Sequence, residues 1–195
     1  MVGAIAAAIS GIRLAAVKRF DWFGAYIVGL VTALGGGTLR DVLLDIQVFW
    51  TRSWDYFAVT GIAMAIVLTF QRQLVRRVKA LLVFDAIGLA MFTVIGIEKT
   101  LSAGLPMWVA IAMGLITGAF GGVLRDILIN EEPLIFRKDI YAMASFLGGC
   151  VYGLAMLLGC NQVISGSLCM AVCLIVRMLA LRYSWHLPLM HPDED

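Results

Sequence analysis

The chain has little charge and almost no histidine. Asp, Glu, Lys and Arg together make up 14% of its 195 residues, and the two histidines are His186 and His191. A soluble domain carries about a quarter charged residues. No HExxH, GxSxG or GxxxxGK motif occurs, so the residues that metalloproteases, hydrolases and phosphate loops depend on are missing. No enzyme activity and no cofactor are expected. The four cysteines, Cys150, Cys160, Cys169 and Cys173, form no CxxC and lie in or beside late apolar stretches, where they read as small packing residues and not as a metal or redox site. There is no basic stripe with interleaved aromatics, so no nucleic-acid partner is expected. The last apolar stretch holds no lysine for a retinal Schiff base. The first stretch has no basic leader and no clear cleavage site, and is expected to be a retained helix rather than a signal peptide.

What the chain does have is hydrophobicity in long blocks. Apolar residues make up 62% and the mean hydropathy is +0.94. They do not recur at a 3.6-residue or 2-residue period. A bilayer core of about 30 Å needs about 20 apolar residues per helix. The blocks predict an all-α integral membrane protein of about seven transmembrane helices. Their expected spans are Met1–Val17, Gly24–Ile46, Tyr56–Phe70, Ala80–Ile97, Pro106–Ile129, Ile140–Gly159 and Gln162–Leu181. Lys18, Arg19, Arg72, Arg76, Arg77, Lys79, Arg137, Lys138 and Arg182 would then share one side of the membrane, against Arg52 and Lys99 on the other. The positive side is expected to be cytoplasmic, which puts the N-terminus outside and the C-terminus inside. Trp22, Trp50, Trp54, Trp108 and Trp185 fall where interfacial aromatic belts would form.

The chain repeats itself at an offset of 85 residues. Gly29-Leu30-Val31-Thr32 aligns with Gly114-Leu115-Ile116-Thr117, and Gly36-Gly37-Thr38-Leu39-Arg40-Asp41 with Gly121-Gly122-Val123-Leu124-Arg125-Asp126. Nine of fifteen positions from Gly29 to Leu43 are identical, and Gly11, Arg52 and Tyr56 meet Gly96, Arg137 and Tyr141. Three helices per copy is an odd number, so the second copy enters from the opposite side. The fold expected is two inverted three-helix repeats plus a seventh helix, an architecture that recurs in permeation proteins. The boundaries are a single membrane domain over 1–195, with repeats at 1–79 and 80–160, a seventh helix at 161–185 and a polar tail at 186–195.

Arg40-Asp41 and Arg125-Asp126 are the residues that bear on function. Each pair reads as lying well inside a span, where an unpaired charge costs about 2.5–3.5 kcal/mol on insertion scales, and such residues mark ion or substrate paths by default. The inversion would set one pair toward each face, guarding the two mouths of a path. Asp85 is a further candidate, either snorkelling at a helix end or facing the path. Glycine clusters precede the pairs: Gly35, Gly36 and Gly37 in one copy, Gly118, Gly121 and Gly122 in the other. Glycine costs about 1 kcal/mol against alanine inside a helix, so the clusters suggest kinks or breaks whose carbonyls could meet a potassium or sodium ion in transit. The alternative is close helix packing, since Gly29, Ala33 and Gly37, like Gly114, Gly118 and Gly122, are spaced by four. Thr32, Thr117 and Ser10 could line the path or bond back to their own helix. Asp45 and Asn130 match in the repeat and would sit at the mouths. Arg13 and Arg177 read as interfacial anchors.

The doubled Gly-Gly-x-Leu-Arg-Asp, with Asp85-Ala86-Ile87-Gly88 and the stretch from Arg177 to Pro188, resembles the bacterial branch of the trimeric intracellular cation (TRIC) channels. That branch also goes under the name of a glycine transporter domain family. The likeness covers nearly the whole chain. It implies a homotrimer in the lipid bilayer of the bacterial inner membrane, passing monovalent cations, chiefly potassium, through a pore in each protomer lined by kinked helices 2 and 5. Gly35, Gly36, Gly37, Gly121 and Gly122 would be the breaks, with Arg40-Asp41 and Arg125-Asp126 the charged pairs. Animal members carry a lysine-containing motif on the fourth helix where this chain has Asp85-Ala86-Ile87-Gly88, so animal-type gating is not expected. Asp85 would pair with a position before Met1, so it has no counterpart in the first repeat. From the residues alone, a secondary transporter of a small amino acid such as glycine stands level with the channel.

Overall fold

A computed structural model describes residues 1–70, 78–136, 140–183 and 185. Arg72, Arg76, Arg77, Arg137, Lys138 and the tail 186–195, used above for orientation and boundaries, lie outside the described residues. Among those residues there are seven α-helices and no strand: α1 Val2–Val17, α2 Trp22–Leu43, α3 Asp55–Thr69, α4 Val78–Ser102, α5 Met107–Leu128, α6 Ala142–Leu157 and α7 Gln162–Tyr183. A short 3-10 turn, Phe49–Arg52, joins α2 to α3. Helices α2, α5 and α7 are long and apolar enough to cross a membrane, whereas α1, α3 and α6 are shorter apolar helices. At ~1.5 Å per residue, sixteen residues span only about 24 Å. Apolar side chains face outward on most helices, among them Leu157, Val163 and Ile175.

The helix ends follow a common pattern. After α1, α2, α4, α5 and α6 stand Arg19, Asp45, Gly104, Asn130 and Gly159, each with positive φ. In each case the next amide bonds back to the carbonyl five residues earlier: Phe20 to Ala15, Ile46 to Asp41, Leu105 to Thr100, Glu131 to Asp126 and Cys160 to Ala155. This is the Schellman closure, which needs a left-handed residue and accepts Gly, Asn or Asp most readily. Asp45 and Asn130 take matching values of 53° and 55°, so the repeat extends to the helix stops. The closure at Asp45 ends α2 at Leu43, short of the expected Ile46. Helix α4 instead runs past Ile97 to Ser102, because Glu98, Lys99 and Thr100 continue it.

The two repeats pack in the same way. A methyl group at Gly11 would strike Thr32 and the Gly29 backbone, and one at Gly96 would strike Thr117 and the Gly114 backbone. The glycines thus let α1 lie against α2, and α4 against α5, at backbone distance. Helices α2 and α5 meet at Gly36 and Gly121: a Cβ at Gly36 would collide with the Thr117 carbonyl, and a Cβ at Gly121 with the Thr32 carbonyl. The contact is reciprocal, as an axis relating the two repeats requires. Both helices are α-helical from end to end. The breaks expected at Gly35–Gly37 and Gly121–Gly122 are therefore absent, and no unwound carbonyls are presented there. The physical reason is that the missing side chains let two intact helices touch.

Because the atom met at Gly36 is backbone, it cannot swing aside. Gly36→Ala should cost about 1–3 kcal/mol, the usual range for overpacking, read as a lowered unfolding midpoint in detergent. Gly61→Ala on α3, where nothing lies within 4 Å of the added carbon, should be neutral or slightly stabilising.

Candidate functional site

Arg40 and Asp41 occupy the last turn of α2, and Arg125 and Asp126 the last turn of α5. The sequence reading set them deeper in the spans. The Schellman closures, by stopping each helix two residues after its aspartate, bring them to the helix ends instead. All four side chains are buried, with Asp41 0% and Arg125 1% exposed. In each pair the arginine Nε donates to its neighbour's Oδ1 at 2.8 Å. The second carboxylate oxygen accepts a backbone amide eight residues on, from Phe49 at 2.8 Å and from Leu134 at 3.1 Å. Each aspartate therefore neutralises its arginine and also ties down the loop that follows. Buried charge persists when it is paired and its remaining lone pairs are filled.

The third member differs between the clusters. At the α2 end, Lys99 Nζ donates to both Asp41 oxygens, at 2.9 and 3.0 Å. Arg40 and Lys99 both lie over the Phe49 ring, which stacks edge-on against Tyr56. At the α5 end, Arg125 Nη1 reaches Asp85 Oδ1 at 2.5 Å and Ser10 Oγ at 2.7 Å. Two cations thus share one acid at the first cluster, and two acids share one cation at the second. Helix α4 supplies both third members, since Asp85 and Lys99 are separated by about 21 Å of helix. A cavity of about 130 Å³ adjoins the first cluster, lined by Gly37, Arg40, Phe49, Tyr56, Lys99 and Thr117 among others. One of about 280 Å³ adjoins the second, lined by Leu14, Lys18, Asp85, Arg125, Asp126, Glu131 and Glu132 among others.

The remaining sequence candidates fall between the clusters or beside them. Thr32 and Thr117 are buried and donate to the carbonyls of Val28 and Met113 on their own helices, both at 2.6 Å. Gly35 makes room for Leu124, Gly37 for the Phe49 ring and Gly122 for the Tyr141 hydroxyl. Two expectations need correction. Arg13 and Arg177 are buried rather than interfacial, and the Arg177 guanidinium, 1% exposed, lies 4.9 Å from the Tyr141 ring centroid. A planar cation on an aromatic face is one way to bury it. Sequence reasoning missed Lys99 as the partner of Asp41, because the repeat aligns it with Leu14. It also missed the amides of Phe49 and Leu134, which carry no side-chain signal.

Among the described residues, seven helices without a strand, apolar outside and with paired charge inside, arranged as two inverted three-helix units plus one, define a polytopic helical membrane protein. The family model described as Glycine transporter matches residues 1–72 and 82–156. The inner membrane protein YadS of Escherichia coli K12, one of the UPF0126 proteins, is 39% identical over 100% of this chain and 96% of its own length. The chain belongs to this family, whose fold is that of the bacterial TRIC channels. A TRIC cation channel solved to explain conductance is 33% identical with a TM-score of 0.88, covering 100% of this chain and 96% of that one. The TRIC orthologue from Rhodobacter sphaeroides is also 33% identical, with a TM-score of 0.89 over 94% and 95% of the two chains.

Removing Asp126 would leave Arg125 with only one buried acid and Leu134 with a lost amide bond. Asp126→Ala should cost about 3–5 kcal/mol, the range for breaking a buried pair. The double change Arg125→Met with Asp126→Ala should cost less than the sum of the single changes, because no unpaired charge stays buried. Unfolding midpoints of the single and double variants in detergent check this.

Proposed function

We propose that this protein is a potassium-permeable channel for monovalent cations, working as a homotrimer in the bacterial inner membrane, with a path through each protomer along α2 and α5. The observation that carries the reading is the pair of cavities, each lined in part by charged side chains of an Arg–Asp cluster, on either side of the Gly36–Gly121 crossing. A path with charged vestibules and a narrow waist of packed helices is a physical arrangement for selective conduction. The likeness to solved TRIC cation channels along the whole chain supports it. The excess of loop Lys and Arg on one side supports an N-terminus outside and a C-terminus in the cytoplasm. The repeats we infer run over 1–79 and 80–160, with the seventh helix at 161–185 and a polar tail at 186–195. Within this reading Arg40, Asp41, Asp85, Arg125 and Asp126 set the field along the path, and Gly35, Gly36, Gly37, Gly121, Gly122, Thr32 and Thr117 build its waist.

A second reading, a secondary transporter of a small amino acid such as glycine, is favoured by the name of the family model. Transporters of inverted-repeat type usually bind substrate at unwound half-helices. The unbroken α2 and α5 offer no such ends, which favours the channel.

Proteoliposomes separate the two. The channel reading expects potassium-driven voltage change without saturable uptake of labelled glycine. Saturable, ion-coupled glycine uptake with no potassium current would overturn it. Asp41→Asn should lower or unlatch the potassium flux severalfold while the trimer persists on size exclusion; unchanged flux in a folded trimer would remove Asp41 from the path.

A further inference from the structure

We propose that Arg177 of α7 is a positioning residue for the cluster at the α5 end, acting through the ring of Tyr141 to hold the Asp85 carboxylate in place and to set the field at that mouth. The inference rests on the channel reading and deepens it, because it makes the helix outside the two repeats an electrical part of the path. Arg177 is buried, and its three guanidinium nitrogens have no hydrogen-bond partner among the described residues. A buried cation in that state is costly. The face of the Tyr141 ring, 4.9 Å away at its centroid, offsets part of the cost. The remainder has to be met by negative charge within reach.

Tyr141 stands between that cation and such charge. The ring is buried among Leu89 and Ala90 of α4, Ala119 of α5 and Cys173 of α7. Its hydroxyl faces the Asp85 carboxylate. The same hydroxyl and Arg125 Nη2 lie 3.0 and 3.7 Å from where a Cβ would stand at Gly122. Asp85, Arg125 and the hydroxyl thus meet at one point, with Arg177 over the ring. A cation on the ring face draws electron density from the hydroxyl and makes it a stronger donor, as polarised networks do. The charge count has the same sense. Asp85 and Asp126 share Arg125, which leaves one acid in excess, and Arg177 is a buried cation on the other side of Tyr141. The bundle fixes it there. A Cβ at Gly148 of α6 would strike the Cys169 carbonyl and stand 3.3 Å from Cys173, so α7 is seated on α6 one turn before Arg177. The first repeat supplies the contrast. The 85-residue offset aligns Tyr141 with Tyr56, but Tyr56 packs edge-on against Phe49, and it is Phe49 that carries Arg40 and Lys99. The seventh helix therefore enters the charge network at the α5 end.

Planar-bilayer recording, with potassium varied on the side of the α5-end mouth, tests this. Arg177→Met keeps the side-chain bulk and removes the charge, so Asp85 presents more negative charge to the mouth. The half-saturating potassium concentration should fall on the order of threefold. Arg177→Lys keeps the cation and should stay near the wild-type value. Tyr141→Phe keeps the ring and loses the hydroxyl; it should shift the same way, and adding Arg177→Met to it should shift it little further. A packing role alone would treat methionine and lysine alike. Equal behaviour of those two variants, or additive shifts in the double variant, would overturn the proposal. If Arg177→Met does not assemble, Tyr141→Phe carries the test, and an unchanged half-saturation overturns it. A wild-type protein with no potassium current would overturn the channel reading instead. Unfolding midpoints in detergent then decide the coupling by themselves. Arg177→Met with Asp85→Asn should lower the midpoint by less than the sum of the single changes, and a simple sum would overturn it.

Discussion

The fold depends on the direct backbone contact between α2 and α5 at Gly36 and Gly121. Any side chain at either position would meet a carbonyl of the opposite helix. This contact lies where the two repeats are related to each other, and it brings both helices to the centre of the protomer. The outer helices follow by the same device, with Gly11 and Gly29 seating α1 on α2, and Gly96 and Gly114 seating α4 on α5. In a membrane, helices gain little from excluding lipid, so close van der Waals packing by small residues must hold them together. The glycines that looked like weak points in the helices are what allow the bundle to form.

Charge is disposed about that crossing. Each of the two central helices ends in an Arg-Asp pair whose aspartate also binds the amide of the loop beyond. The pair thus satisfies buried charge and fixes the helix end in one arrangement. Symmetry stops at the third member of each cluster. Lys99 and Asp85 come from opposite ends of α4 and give the clusters opposite net charge. An inverted repeat with identical ends would have no electrical direction, and here α4 provides one.

Much of this was legible in the residues. Seven apolar blocks gave the helices, and the in-register Gly-Gly-x-Leu-Arg-Asp gave the repeat and singled out the charged pairs. The matched Asp45 and Asn130 proved to be the left-handed residues that close α2 and α5. What the residues did not convey was depth and partnership. Glycine's low helix propensity argued for a break, but propensity is a weak prior beside tertiary contact, and the glycines are used for packing. Arg13 and Arg177 looked like anchors because position in a span says nothing of which face points inward. Lys99 was hidden for another reason: the repeat predicts its place from Leu14, and a partner found in only one copy cannot be inferred from the other. Backbone donors such as Phe49 and Leu134 leave no mark in side-chain chemistry at all.

We infer that a cation path runs through each protomer between the two charge clusters. Recording the purified protein in a planar bilayer under a KCl gradient tests it most directly. Such a path should give a reversal potential close to that of potassium and openings in up to three equal steps, one for each protomer of a trimer. A reversal potential at the chloride value, or a silent bilayer from protein that takes up glycine in vesicles, would contradict it.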